Sequence, residues 1–367
     1  MLFRSDIAGV IEAAKAAKCD AVHPGYGFLS ENAEFARACA KAKIRFVGPT
    51  PEQLALFGDK AAARAQAIRC KVPVLPGTDG AVDAAGAVAF FRKNAKAGIA
   101  LKAIAGGGGR GMRLIRKEDE IADAFARASA EALSAFGNGA LYAERLVSKA
   151  RHIEIQIVGD GKGGVAALGE RECTLQRRSQ KIVELAPSPN LPEVLRKKIV
   201  AAAVTMAKSV SYRSLGTFEF LVEDNEFFFI EANPRLQVEH TVTEEVWGVD
   251  LVQAQLQEVL PDIQGPRGAA IQLRVNMETM TADGSAKPGG GTLTVFEPPS
   301  GPGVRVDTCG YAGYRTNPNF DSLLAKVIVH GASFEAALAR GERALASFRL
   351  EGAPSNLVFL RALLADK

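Results

Sequence analysis

The sequence predicts a mixed α/β (α+β) fold of two or three domains. Three observations predict it. Strand-like runs alternate with amphipathic helical runs along most of the 367 residues. Hydrophobic residues make up 47% and charged residues 23%, an ordinary globular balance. Thr217–His240 reads as a β-hairpin: two apolar runs flank the polar cluster Glu223-Asp224-Asn225, and the second runs on into a polar string. The net charge of +4 is spread along the chain, so no nucleic-acid partner is expected. The five cysteines are scattered without a CxxC pair, which predicts free thiols in a reducing cytoplasmic setting and no zinc site. No apolar run approaches the roughly 18 residues of a membrane span, so no membrane partner is expected.

In chain order, Ser5-Asp6 is a capping signal for a helix with Ile7, Val10, Ile11 and Ala14 at helical spacing. A strand at Asp20–His23 breaks at Pro24-Gly25. A helix carrying Phe35 and Cys39 follows, then a strand at Ile44–Val47. Two strands are few for a sheet of their own, so either they join a sheet formed elsewhere or the domain is truncated; we expect truncation. A helix after Lys60 leads to a turn-rich boundary at Val72–Gly77. From about Asp79 to Leu146 a small α/β lobe is expected: a helix near Ala81–Ala97, strands Ile99–Ala103 and Met112–Ile115 around a glycine loop, a helix near Lys117–Phe136, and a closing strand Leu141–Leu146. Strands at His152–Val158 and Gly164–Leu168, a helix Pro192–Ser211 and the hairpin come next. One helix is predicted over Val242–Val259. Strands Ala269–Met277 and Leu323–Val329 and a helix Phe334–Phe348 complete the chain.

Several residues carry chemistry. Glu219 and Glu231 stand inside apolar strands, where an unpartnered carboxylate is costly. Along an extended chain Glu231, Asn233 and Arg235 share one side, followed by Gln237 and Glu239. That row reads either as a solvated face or as a metal and anion site, since carboxylates plus an amide are hard oxygen ligands for Mg²⁺. The loop Lys102–Arg113 lies between two strands, so it is neither a dinucleotide fingerprint nor a P-loop. It reads as a flap over a nucleotide or as a plain hairpin. Gln176–Lys181 packs three cations into six residues, as a solvated charge run or an anion site.

Taken together, His23–Asn32 (HPGYGFLSEN), Gly58–Lys60, Lys102–Arg113, Arg151–Gln156 (RHIEIQ), Arg171–Lys181 (RECTLQRRSQK), Glu231–His240 (EANPRLQVEH) and Phe320–Val327 (FDSLLAKV) resemble the biotin carboxylase family in order and spacing. The resemblance implies an ATP-grasp fold. Residues 1–57 would be a remnant of a Rossmann-like pre-ATP-grasp domain, 58–266 the ATP-grasp domain with a mobile lid at about 75–146, and 267–367 the biotin carboxylase C-terminal domain. About half of the N-terminal domain would be missing.

The same resemblance implies roles. Lys60 and Lys102 would hold ATP phosphates under a flap of Gly107, Gly108 and Gly109. Glu144 and the Leu146 backbone would contact adenine, His152 the ribose, and Gln176 would lie beside the nucleotide. Glu219, Glu231 and Asn233 would bind two Mg²⁺ or Mn²⁺ ions. Lys181, Arg235, Arg274, Glu239 and the backbone of Gln237 and Val238 would surround bicarbonate, with Tyr26 also on the bicarbonate and biotin side. Glu239 would be the base and Arg235 the stabiliser of a biotin enolate. Ser179 and Arg145 depart from a frequent His and Lys. The expected partners are a biotin carboxyl carrier protein or domain, a carboxyltransferase and a second copy of the chain, serving an acyl-CoA carboxylase of fatty acid metabolism. The alternatives are a carbamoyl phosphate synthetase-like ligase and a non-catalytic ATP-binding fragment.

Overall fold

Strands Arg213–Glu223 and Glu226–Asn233 pair antiparallel, and Asp224 adopts the left-handed conformation (φ +52°) suited to the two-residue turn between them. The computed structural model describes residues 5–104, 111–147, 149–177, 179–281, 284–317 and 320–366. The flap glycines Gly107, Gly108 and Gly109 therefore lie outside the described residues.

The hairpin is one edge of an eight-stranded antiparallel sheet. From it the spatial order continues through Arg151–Asp160, Val165–Glu172, Val183–Ala186, Ala269–Asn276, Leu323–Gly331 and Val304–Thr308. The sheet crosses residue 266 without a break, because Leu185 pairs with Ile271. On one face, helix Glu193–Lys208 presents Ile199, Ala203 and Met206 to Ile153, Ile155, Phe218 and Phe220, all buried. Helices Phe334–Ser347 and Leu357–Ala365 cover Leu273, Val327 and Val329 farther along.

A bulge sets the phase of the hairpin. Glu219 pairs with Glu231, but the next residue, Phe220, pairs with Phe229, so Ile230 is the extra residue. Strict alternation from Phe229 would aim Glu231 at the apolar core. The bulge lets Phe229 and Ala232 both face that core while Glu231 and Asn233 share the other face.

The lobe at about 75–146 is a three-stranded antiparallel sheet, Met112–Ile115, Ile99–Ala103 and Leu141–Arg145, packed on helices Ala84–Lys93 and Ile121–Phe136. The two short N-terminal strands, Ala21–Val22 and Arg45–Phe46, pair in parallel with each other among the described residues. Their segment docks through Arg213 Nε donating to Gly48 O (3.0 Å) and Gln53 Nε2 donating to Val210 O (3.0 Å). The single helix predicted over Val242–Val259 is two, His240–Trp247 and Leu251–Gln257. Gly248 ends the first at φ +63°, and Asp250 caps the second.

Candidate active site

The sheet register builds the site. Glu231 pairs with Glu219, Glu219 with Glu154, and Glu154 with Arg171, forming a row across four neighbouring strands. Like charges directly opposite each other destabilise a sheet, so the row requires cations. They come from three directions. Lys60, opening helix Lys60–Arg69, reaches Glu231 at 2.8 Å. Arg171, fully buried, bonds Glu154, Gln156 (2.7 Å), Thr217 (3.0 Å), Gln237 (3.1 Å) and Thr243 (2.9 Å). Lys181 enters from a short hairpin, Gln176–Arg177 with Gln180–Lys181, in which Ser179 has φ +65°.

Lys181 Nζ lies 2.6 Å from Glu154, 3.1 Å from Glu219 and 2.6 Å from Glu239. The basic run is therefore not a uniformly solvated face: Lys181 turns inward, and Arg177 forms a bidentate pair with Glu278 (2.5 and 2.8 Å). Glu239 precedes helix His240–Trp247 and also accepts from Arg274 at 3.1 Å. Arg274 in turn donates to the buried Glu184 (2.5 Å).

Burial would raise the pKa of Glu239, but Lys181, Arg274 and Arg171 hold it below the usual carboxylate range. Glu219 behaves alike: burial opposes ionisation, and Lys181 and His152 overcome it to leave its pKa well depressed. Burial works against the charged form of Lys181 too, yet Glu154, Glu219 and Glu239 raise its pKa well above that of a free lysine. The group is thus a lattice of buried, ionised partners.

The opposite side of the site, where the sequence places the nucleotide residues, is built of smaller groups. Lys102 and Glu144, on neighbouring strands of the lobe at about 75–146, meet at 2.5 Å. His152 donates Nε2–H to Glu219 at 2.6 Å, and Gln176 Nε2 lies 2.9 Å from His152 Nδ1. The Leu146 amide donates to Gly98 O (3.0 Å), so an adenine contact through that N–H would have to replace this bond. Arg235 donates to Glu31 (2.6 Å) and to Asn233 Oδ1 (3.1 Å).

One cavity of about 650 Å³ takes in both sides. Every candidate residue outside the flap lines it, from Tyr26, Lys60, Lys102, Glu144 and Leu146 through His152, Gln176 and Lys181 to Glu219, Glu231, Asn233, Arg235, Gln237, Val238, Glu239 and Arg274. Tyr142 and Val147 line it as well without having been singled out. Sequence reasoning also missed Glu31, Glu154 and Glu184. Each bonds a named site cation; Glu31 and Glu154 stand inside the motifs HPGYGFLSEN and RHIEIQ without a role of their own, and Glu184 lies in no motif or predicted element.

Glu219 and Glu231 fit a divalent ion chemically: two carboxylates directly opposite across a strand pair, with the Asn233 amide on the same face. A second group, His152, Glu154 and Glu219, brings its ligand atoms within 4.8 Å of one another. A lysine already sits at each place, Lys181 between the buried Glu154 and Glu219 and Lys60 beside Glu231; the Lys60–Glu231 pair is the more exposed, and so the more readily exchanged for an ion.

The chain belongs to the biotin carboxylase family of ATP-dependent ligases and has the ATP-grasp fold. Residues 59–259 match the carbamoyl-phosphate synthase L chain ATP-binding domain, flanked by the biotin carboxylase N-terminal domain at 4–54 and C-terminal domain at 272–367. The family works with ATP, Mg²⁺ and biotin borne on a carrier.

Among particular relatives, a biotin carboxylase from Campylobacter jejuni, solved as a β,γ-ATP complex, superposes with a TM-score of 0.94 at 38% identity, over 99% of this chain and 82% of that one. The biotin carboxylase domain of Hydrogenobacter thermophilus 2-oxoglutarate carboxylase, a dimer with MgADP, ADP and bicarbonate, gives the same TM-score and identity over 99% and 82%. Pyruvate carboxylase of Aspergillus niger is 47% identical over 356 residues, which is 94% of this chain and 30% of that protein. The chain thus spans about a third of the length of the pyruvate carboxylases it matches. Among the described residues no helix is long and apolar enough to cross a membrane.

Proposed function

We propose that the chain carries out the first half-reaction of a biotin-dependent carboxylase. ATP, bicarbonate and carrier-bound biotin become ADP, phosphate and carboxybiotin. The observation that supports this most is the position of Glu239, a buried carboxylate between Lys181 and Arg274 in the same cavity as Lys60 and Lys102. A base, two anion-binding cations and two phosphate-binding lysines are what bicarbonate phosphorylation requires.

In this reading Glu239 takes the bicarbonate proton, and the freed oxygen attacks the γ-phosphate to give carboxyphosphate. Carboxyphosphate splits into CO₂ and phosphate, the phosphate takes the N1′ proton of biotin, and Arg235 stabilises the enolate that attacks CO₂. Glu239 is a weak base while Lys181 and Arg274 both hold it. An incoming anion competes for those cations and thereby raises its basicity. Lys60 and Lys102 trade Glu231 and Glu144 for phosphate oxygens, Glu144 and Leu146 flank the adenine, and His152 faces the ribose. Glu219, Glu231 and Asn233, the last through its carbonyl oxygen, would hold Mg²⁺, which when bound would supply positive charge against the phosphates.

The partners follow from the chemistry: a biotin carrier, a carboxyltransferase and, as in the dimeric Hydrogenobacter domain, a second copy. The acyl-CoA acceptor expected from the sequence rests on no residue of this chain. The pyruvate carboxylase relatives support a 2-oxo acid acceptor instead. An assay of ADP release with and without bicarbonate and free biotin tests the reading. Release that needs bicarbonate and rises with biotin is expected; release indifferent to both would refute it.

A further inference from the structure

Beside the loop Gln237–Glu239, two buried side chains that do not line the main cavity reach consecutive peptide carbonyls. His240 Nδ1 donates to Gln237 O at 2.7 Å, and Lys326 Nζ donates to Val238 O at 3.1 Å. Lys326 is placed by register, because on strand Leu323–Gly331 it pairs with Arg274 on one side and Asp307 on the other. Its ammonium also meets the Asp307 carboxylate at 3.1 Å.

A carbonyl accepting from Nδ1 requires the proton there. The ring is held neutral: burial and then the Lys326 charge push the His240 pKa down to about 4. In a trans peptide the C=O of one residue and the N–H of the next point in opposite directions. Holding Gln237 O and Val238 O on His240 and Lys326, with the His240 N–H also reaching Gln237 O at 3.3 Å, therefore turns the Val238 and Glu239 N–H groups away from those two side chains. Among the described residues neither N–H donates to a protein acceptor, and Val238 and Glu239 both line the main cavity.

We infer that His240 and Lys326 are positioning residues for the anion: they clamp two successive peptide planes so that two backbone N–H groups face bicarbonate. The inference rests on the carboxylase reading above and extends it to residues that line neither the metal nor the nucleotide side. The front of the loop is fixed separately, by Arg171 and Glu219 on the Gln237 side chain and by Lys181 and Arg274 on Glu239. Removing either bond therefore loosens the planes while leaving the Lys181 and Arg274 charges on Glu239 in place.

The test is bicarbonate-dependent ADP release by the full chain, with KM measured separately for bicarbonate and MgATP. His240→Phe should raise the bicarbonate KM about tenfold, the size of one hydrogen bond to a charged group, with the MgATP KM within about twofold. His240→Asn, whose amide can donate from near the Nδ1 position, should recover most of the loss; Lys326→Gln should likewise outperform Lys326→Met. An unchanged bicarbonate KM would overturn the inference. So would parallel rises in both KM values, or Asn and Gln variants no better than Phe and Met. If His240→Phe does not fold, the Lys326 pair decides by the same criterion. A native chain with no bicarbonate-dependent release would overturn the functional reading itself, and the inference with it. A native chain that responds while the variants match it would overturn the inference alone.

Discussion

The two halves of the cavity are held differently. Around Lys181, each buried charge has several partners: the ammonium touches three carboxylates, and Arg171 bonds five residues. On the proposed nucleotide side the ions stand in smaller groups: Lys60 pairs with Glu231, both partly exposed, and Lys102 pairs with the buried Glu144, which Arg64 also approaches at 4.0 Å. A buried lattice of charges is costly to break, because removing one partner leaves the others buried and uncompensated. A partly exposed pair exchanges partners with little change in energy. Under the proposed function, the bicarbonate half is thus preformed and the phosphate half is poised to trade protein carboxylates for ligand oxygens.

Four experiments can break or sharpen this contrast. The largest effect is expected from Glu239→Gln, which removes the base and leaves the nucleotide pairs intact. Bicarbonate-dependent turnover should fall about a thousandfold while MgATP affinity, measured by calorimetry, stays within a few-fold. Equal loss of both would mean that the halves are not separate.

Lys181→Met should come next, leaving three carboxylates around an uncharged side chain. Unfolding in denaturant should show a loss of about 3 kcal/mol, whereas Lys60→Met should cost less than about 1 kcal/mol. Similar costs would erase the distinction.

Acidification should then cost stability in a definite window. His240 has a depressed pKa, so its contribution is complete above the ordinary value of 6.5 and is lost as pH falls toward about 4. Replacing it by Asn should flatten this limb of the curve by about 3 kcal/mol. Glu219 and Glu239, also depressed, add a further loss below 4.5 that the Asn variant keeps. An acid limb identical in both proteins would remove His240 from the account.

The smallest effect is expected from Glu231→Gln: MgATP affinity reduced about tenfold, or 1.4 kcal/mol, with the melting temperature nearly unchanged. A large drop in melting temperature would show that this half, too, is a structural lattice.

Much of this was legible in the sequence because the motifs are local. The hairpin, the helix stripe Ile199–Met206 and the run from Glu231 to Glu239 announce themselves by spacing. The bulge at Ile230 did not, because Phe227–Ile230 is apolar on both faces and hides the change of phase. Glu154 and Glu184 were hidden for another reason: their partners, Lys181 and Arg274, lie 27 and 90 residues away and meet them only through sheet packing. The break at Gly248 was overlooked because the apolar period continues through it on both sides.

The central claim is that one strand and the loop after it bring phosphate and bicarbonate into direct reaction. Oxygen-18 bicarbonate with unlabelled ATP and water tests it most directly, with the released phosphate read by mass spectrometry. Attack by bicarbonate on the γ-phosphate predicts one labelled oxygen in each phosphate formed. Phosphate whose new oxygen comes from water would contradict it.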